Sequence, residues 1–258
     1  MKSYLLVFCD TRFRLFDKER INKNFYNNTY ENNFDKVIIY NENNLDRCIY
    51  KFCENVRNNY GPTGYGMWIW KPYIILKTLE SLDDGDILVF MNSHCILENV
   101  IDNIQDMIYS RLNDYNCILS ACTGKIERHY TSKFLQEIVE NYLNYKFSKT
   151  EIYDYQCEAG SLFIYKCSRS IQFVKMWLYI CLTYTDFISN IFDKYDNKLI
   201  ATRHDQSVFS LLYKYYKLPL YWKFDWLLFN KKIKNINKSI TDNIFDNSVV
   251  QHIEYGED

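Results

Sequence analysis

Short apolar runs of strand length alternate along this chain with segments whose apolar residues recur at helical spacing. The runs cover residues 4–9, 36–40 (KVIIY), 86–91 (DILVFM), 117–121 and 161–166. Continuous apolar runs of this length mark strands buried on both faces. Between the second and third runs, Leu45, Ile49, Phe52 and Val56 follow one another at spacings of four, three and four. That is one face of a helix, predicted over 44–56. Helices are also predicted over 18–30, 67–82, 133–145, 170–184 and 204–216, with Pro72 tolerated in the first turn of its helix. Such an alternation closes as an α/β, Rossmann-like domain with a mostly parallel central sheet. Ligands on such sheets sit beyond the C-terminal ends of the strands.

The 258 residues suffice for one large domain, and no internal repeat or Pro/Gly/Ser-rich linker divides them. The expected domain spans 1–230. From Lys231 the chain turns polar and rich in Asn and Lys, so 231–258 reads as a C-terminal tail or lid. Only 7 Gly and 3 Pro exclude a collagen-like or low-complexity chain. A net charge of −1 argues against a nucleic-acid partner, which calls for a basic stripe. No apolar run approaches the ~20 residues of a transmembrane helix. The opening MKSYLLVFCDTR lacks the apolar length and cleavage site of a signal peptide and reads as a first strand. Nine cysteines without a CxxC read as reduced thiols packed as small apolar residues in a cytoplasmic protein. The density of Asn, Ile, Lys, Tyr and Phe fits an AT-rich viral or bacterial genome. In so Asn-rich a chain the sequons at Asn27 and Asn237 are expected by chance.

Common nucleotide and hydrolase motifs are missing. Gly64-x-Gly66 lacks the third glycine of a dinucleotide fingerprint, and there is no GxxxxGK[ST], GxSxG or HExxH. Four segments remain. They are Gly64-Tyr65-Gly66-Met67-Trp68-Ile69-Trp70-Lys71-Pro72-Tyr73, then Gly85-Asp86-Ile87-Leu88-Val89-Phe90-Met91-Asn92-Ser93-His94-Cys95, then Gln156-Cys157-Glu158-Ala159-Gly160-Ser161, then Arg203-His204-Asp205-Gln206-Ser207-Val208-Phe209-Ser210. In this order they resemble a group of bacterial and large-DNA-virus glycosyltransferases with the GT-A fold. There the segments read roughly GYGYWxWKP, GDILLYxDAGC, QxEAG and HDQS. The opening run, Tyr4 to Arg12, is similar to that family's first strand and nucleotide-binding turn. The resemblance covers residues 1 to about 216, and its Trp-x-Trp-Lys-Pro and His-Asp-Gln-Ser segments are the specific ones.

The resemblance implies a transferase that moves a sugar from a UDP- or GDP-sugar to a hydroxyl of a glycan or glycoprotein. It places Asp10, Thr11 and Arg12 beside the base and ribose, with Arg12 binding phosphate or stacking on the base. Arg14 follows them with less weight. Lys71 would reach a phosphate and Tyr73 would line the nucleotide or sugar site. The plainer alternatives are a solvated lysine and aromatics that pack in the core. Trp68 and Trp70 are read mainly as core. Ser93, His204 and Gln206 join the substrate contacts. Asp205 would act as the base if the enzyme inverts, or would contact the donor sugar if it retains. A helix start with Thr202 as N-cap and Asp205 three residues on is compatible with either role. Glu158 would sit by the donor sugar or acceptor.

The chief departure from the family is Asn92-Ser93-His94, where an Asp-containing motif holds Mn²⁺ or Mg²⁺ against the leaving diphosphate. Asn92 and His94, with the late His252, are the candidate ligands. A neutral amide weakens the hold on a hard cation, so metal-independent transfer stays open. The alternative is a non-catalytic GT-A-fold protein that binds a nucleotide or glycan or serves in assembly.

Overall fold

The computed structural model describes residues 1–9, 34–92, 95–97, 111–220 and 250–252. Its strands are β1 (Ser3–Phe8), β2 (Lys36–Tyr40), β3 (Ile87–Asn92), β4 (Cys95–Leu97), β5 (Ile118–Ile126), β6 (Tyr155–Tyr165) and β7 (Val250–His252). Its α-helices are α1 (Arg47–Tyr60), α2 (Trp70–Glu80), α3 (Glu127–Tyr130), α4 (Lys133–Leu143), α5 (Lys149–Tyr153), α6 (Ser168–Thr183), α7 (Thr185–Ile188) and α8 (Asp205–Tyr215). The expected helix over 18–30 and the lysines at 231, 232 and 234 lie outside the described residues.

The α/β class and the single central sheet are as the sequence predicts. Strand order is β2-β1-β3-β6-β5, and β4 pairs with β7 in a separate ribbon. β1 runs parallel to β2 and β3, but β6 is antiparallel to both β3 and β5. The sheet is therefore mixed, with β6 running against the other four strands. The run over 161–166 is the second half of a longer strand. β6 begins at Tyr155, and its first half carries the polar residues Gln156 and Glu158, which masked its period.

The parallel strands bring their C-terminal ends to one edge. Phe8 lies opposite Tyr40 on one side and Asn92 on the other. Met91 pairs with Ser161 on the antiparallel neighbour, so Gly160, Ala159 and Glu158 run on past Asn92 at the same edge. Beneath that edge the core is continuous. Leu5, Leu6, Leu88, Val89 and Phe90 are buried in the sheet, and Trp177 and Phe209 are buried on the helices. Each such side chain contributes about 1.5–3 kcal/mol of burial. α2 packs on α6, α6 on α8, and α8 on β6, so three helices cover one sheet face as a connected layer. Cys9, Cys53, Cys117, Cys122, Cys157, Cys167 and Cys181 are free and buried, and Cys48 is free and exposed. Among the described residues no helix is long and apolar enough to cross a membrane.

α2 starts three residues later than its apolar pattern suggests, and Pro72 falls in its first turn as expected. The residues before it form a tight turn in which Gly66, Met67 and Trp68 have φ of 56°, 52° and 59°. Successive left-handed residues are costly unless glycine carries part of the run. A β-carbon on Gly66 would stand 2.6 Å from Cys53 Cβ of α1, and one on Gly64 would enter the Trp68 ring. These glycines let the turn lie flat against α1 and swing Trp70 into the core, where it stacks on Phe8 at 3.7 Å between ring centres. The two tryptophans part here. Trp70 is core, and Trp68 stands over His204 at 5.6 Å.

Candidate active site

The first turn of α8 is where the separate sequence segments meet. Lys71, from the first turn of α2, sets its Nζ 2.9 Å from Asp205 Oδ2. Both side chains are buried, at 4% and 2% exposure. The same ammonium lies 5.9 Å from the centre of the Phe90 ring. Phe90 and Asn92 share a face of β3, because side chains alternate along a strand. The ion pair thus lies against the strand two residues before its end. Trp177 of α6 donates its indole N–H to the Asp205 carbonyl at 2.9 Å, fixing the backbone of the same residue.

Burial pushes the Asp205 carboxyl up to about 6, against the opposing pull of Lys71 and of the α8 backbone N–H groups. Its folded pKa then lies above the ordinary value of 3.8. The group favours folding in its protonated form, fully below pH 3.8, and that contribution disappears as pH rises through about 6. Asp205→Asn titrates nothing there. Stability of the wild-type chain relative to this variant is expected to fall by about 2–3 kcal/mol between pH 4 and 6.5. Denaturant titrations at several pH values check it, and parallel stability curves would refute it.

The next residue, Gln206, ties α8 to the middle of β6. Its Oε1 accepts from the Ala159 N–H at 3.3 Å, and its Nε2 donates to Gln156 Oε1 at 2.9 Å. Gln156 in turn donates to Glu127 Oε1 at 3.1 Å and Thr131 Oγ1 at 3.2 Å. Glu127 is fully buried, accepts from Thr131 and Ser210, and has Lys214 Nζ at 3.5 Å. Ser210 Oγ also accepts from the Cys157 N–H at 2.8 Å, and Ser207 Oγ donates to the Tyr130 carbonyl at 2.8 Å. The result is a satisfied polar layer under the start of α8, in an interior where an unmet group is expensive.

His204 caps α8 with φ 51° and ψ −124°, a backbone state that disfavours side chains. Its Nδ1 lies 2.8 Å from the Ile188 carbonyl, which holds the ring under Trp68. The expected cap at Thr202 does not form. Thr202 Oγ1 donates to Asp193 at 2.6 Å instead, and Asp205 is the first residue of the helix. Arg203 sets its guanidinium 5.3 Å from the Tyr130 ring centre, beside Lys125 at the same distance.

Lys71, His204, Asp205 and Gln206 therefore come together, with Asn92 half-buried at the end of β3 and Glu158 half-buried on β6 beside it. Tyr73 does not join them. Two residues on from Lys71, it projects from another side of α2 and donates to Asp46 at the start of α1, where Lys77 also pairs. Its hydroxyl pKa is raised, first by burial and then by that carboxylate. Asp10, Thr11, Arg12, Arg14, Ser93 and His94 lie outside the described residues. The His252 backbone stands opposite Cys95 in the β4–β7 ribbon, one residue beyond His94 in sequence. Among the described residues no group of three His, Cys, Asp or Glu side chains is placed to hold a metal ion. Sequence reasoning left out Glu127, Thr131 and Trp177, and gave no separate role to Ser207 and Ser210 within the fourth segment. Ser207 and Ser210 carried a signal, as small polar residues three apart in an otherwise apolar helix.

No family model matches the chain, and no curated protein matches it. It is similar to several solved structures. One is a glycosyltransferase involved in glycosylation of the major capsid of PBCV-1, at 8% identity and a TM-score of 0.40 over 78% of this chain and 81% of that one. Mouse xyloside xylosyltransferase 1 gives 10% identity and a TM-score of 0.45, over 85% and 84% of the two chains. The galactosyltransferase LgtC, solved with donor and acceptor sugar analogues, gives 13% identity and a TM-score of 0.41, over 85% and 72%. All three are glycosyltransferases.

Proposed function

We propose that this chain is a glycosyltransferase that moves a sugar from a UDP- or GDP-sugar to a hydroxyl of a glycan or glycoprotein. The observation that carries the reading is the buried Lys71–Asp205 pair at the first turn of α8, set against β3 just before Asn92. A buried carboxylate raised toward neutrality close to a strand end suits proton transfer or the orienting of sugar hydroxyls. Asp205 takes that role, with Glu158 from the neighbouring strand. Lys71 holds Asp205 in place and lends positive charge toward phosphate. Asp10, Thr11, Arg12 and Ser93 serve the nucleotide, and His204 and Gln206 the sugar. Positioning and stabilisation of the leaving diphosphate supply most of the rate.

The donor set Asn92, His94 and His252 offers one amide oxygen and two imidazoles. Such a set suits Mn²⁺ better than Mg²⁺. Bound there, the ion would offset charge on the departing diphosphate. Asn92, neutral where the related motif carries Asp, also favours a second reading: a GT-A-fold protein that binds a nucleotide or glycan without catalysis.

Calorimetry of UDP and GDP, with Mn²⁺ and then with EDTA, tests the proposal. Binding of one nucleotide is expected, at least about tenfold tighter with Mn²⁺. Equal affinity in EDTA would remove the metal and leave a transferase that relies on its cations. Failure of both nucleotides to bind under either condition would overturn the transferase reading.

A further inference from the structure

The first half of β6 runs out past Asn92, and two cations gather there around Tyr130. The Tyr130 carbonyl accepts from Gln156 of β6 at 3.3 Å, which ties this residue to the polar layer. Arg203, one residue before His204, sets its guanidinium 5.3 Å from the Tyr130 ring centre. Lys125 of β5 sets its Nζ 5.3 Å from the same ring centre. The backbone beneath each is fixed. The Arg203 N–H donates to the Tyr130 carbonyl at 3.3 Å and to Ser207 Oγ at 3.2 Å. Gly124, with φ of 73°, and a register shift between Cys122 and Ile126 turn β5 at Lys125.

Arg203 differs from other arginines of the fold. Arg128 is committed to Asp196 through two hydrogen bonds of 2.9 and 2.5 Å, and Arg169 donates to the Tyr216 carbonyl at 2.6 Å. Among the described residues Arg203 pairs with no carboxylate, and its Nε is buried without a hydrogen bond. Attraction to the ring holds the guanidinium without using any of its N–H donors. The side chain is half-buried, so the fork keeps an open side. A second positive charge at the same ring adds to the pull on an anion. A planar fork held still beside another cation suits a carboxylate or a phosphate.

We propose that Arg203, with Lys125, recognises an oxyanion carried by the acceptor sugar, either the carboxylate of a uronic acid or a phosphate monoester. The assignment of that sugar as the acceptor rests on the transferase reading proposed above. There the nucleotide sits at the end of β1. In the strand order β2-β1-β3-β6-β5, β5 stands three strands from β1, about 14 Å away at the usual spacing. The cations therefore flank the site on the side opposite the nucleotide, one residue along the chain from His204 and two from Asp205. An acidic sugar held by Arg203 is anchored beside the residues that serve sugar chemistry.

The test is saturation-transfer NMR of the intact protein with methyl glucoside, methyl glucuronide and glucose 6-phosphate. One of the two anionic sugars is expected to bind about tenfold tighter than the neutral one, and which one it is identifies the oxyanion. Arg203→Gln is expected to erase that preference and Arg203→Lys to keep part of it, while the calorimetric affinity for UDP or GDP changes by less than about twofold. Equal binding of the three sugars would overturn the proposal, as would a preference that survives Arg203→Gln. If that variant does not fold, Lys125→Gln replaces it: a preference reduced about threefold supports the site, and an unchanged one overturns it. A preference for the anionic sugar that depends on Arg203 in a protein that binds neither nucleotide would remove the transferase reading and uphold the acidic-sugar site.

Discussion

Replacing Lys71 with methionine is expected to destabilise the protein by about 3–5 kcal/mol, because it leaves Asp205 buried with no counter-charge. The side chains are of similar length, so little packing volume changes and the loss reports on charge. Among the described residues no other cation pairs with Asp205. Trp177 is committed to the backbone carbonyl of that residue, and water has little access at 2% exposure. The Asp205 carboxyl would then meet the full cost of desolvation and stay protonated to higher pH. The double variant Lys71→Met with Asp205→Leu is expected to recover much of the loss, since an apolar pair does without the charges altogether. Guanidinium unfolding of Lys71→Met, Asp205→Leu and the double variant measures the coupling. A single-variant loss below about 1 kcal/mol would mean that the pair is solvated, as surface pairs are.

A loss of similar size, about 3–5 kcal/mol, is expected for Glu127→Ala, through a different route. Glu127 accepts from Thr131, Gln156 and Ser210 and neutralises Lys214. Its removal leaves several buried donors unmet at once, and Lys214 keeps only the Tyr155 carbonyl at 2.6 Å. Glu127→Gln keeps acceptor capacity but not the charge, so it is expected to cost less than the alanine variant. The consequence reaches the site through Gln156, which holds Gln206. Nucleotide affinity, measured by the same calorimetry on the folded fraction, is expected to weaken alongside stability. Equal stability of the alanine variant and the wild-type chain would show that the layer admits water.

The strands and long helices were legible because their signals are local. The run KVIIY reads as a strand by its length and β-branched residues, although it forms the sheet edge and none of its residues is buried on both faces as expected, and the Leu45–Val56 spacing reads as a helical face. Strand direction was not legible. Nothing within residues 155–165 records that β6 enters beside β3 antiparallel, and its polar first half lay outside the strand predicted over 161–166. The candidate site was half legible. Asp205, Gln206, His204 and Lys71 stood out as polar residues at the edges of apolar segments, but Lys71 looked like a surface charge because its partner is far away in sequence. Glu127 gave no sign at all. Its importance comes from four partners on three different elements, and only packing brings them to one place. Tyr73 shows the reverse. Its nearness to Lys71 in sequence suggested a shared site, and the turn of the helix separates them.

The strand order also carries a kinetic consequence. β3, at the centre of the sheet, is held by partners far away along the chain: the Lys2 N–H reaches Asp86 across 84 residues, and β6 joins from the other side. Neither contact forms locally, so the loop-closure entropy of both must be met before the centre of the sheet exists. Gln206 reaches Ala159 only after a further 47 residues have been placed. Helical signal during refolding is therefore expected to return before any competence to bind a nucleotide. During synthesis the Lys71–Asp205 site comes into being only once α8 has left the ribosome, so a chain stalled before it is a sheet with part of one face uncovered.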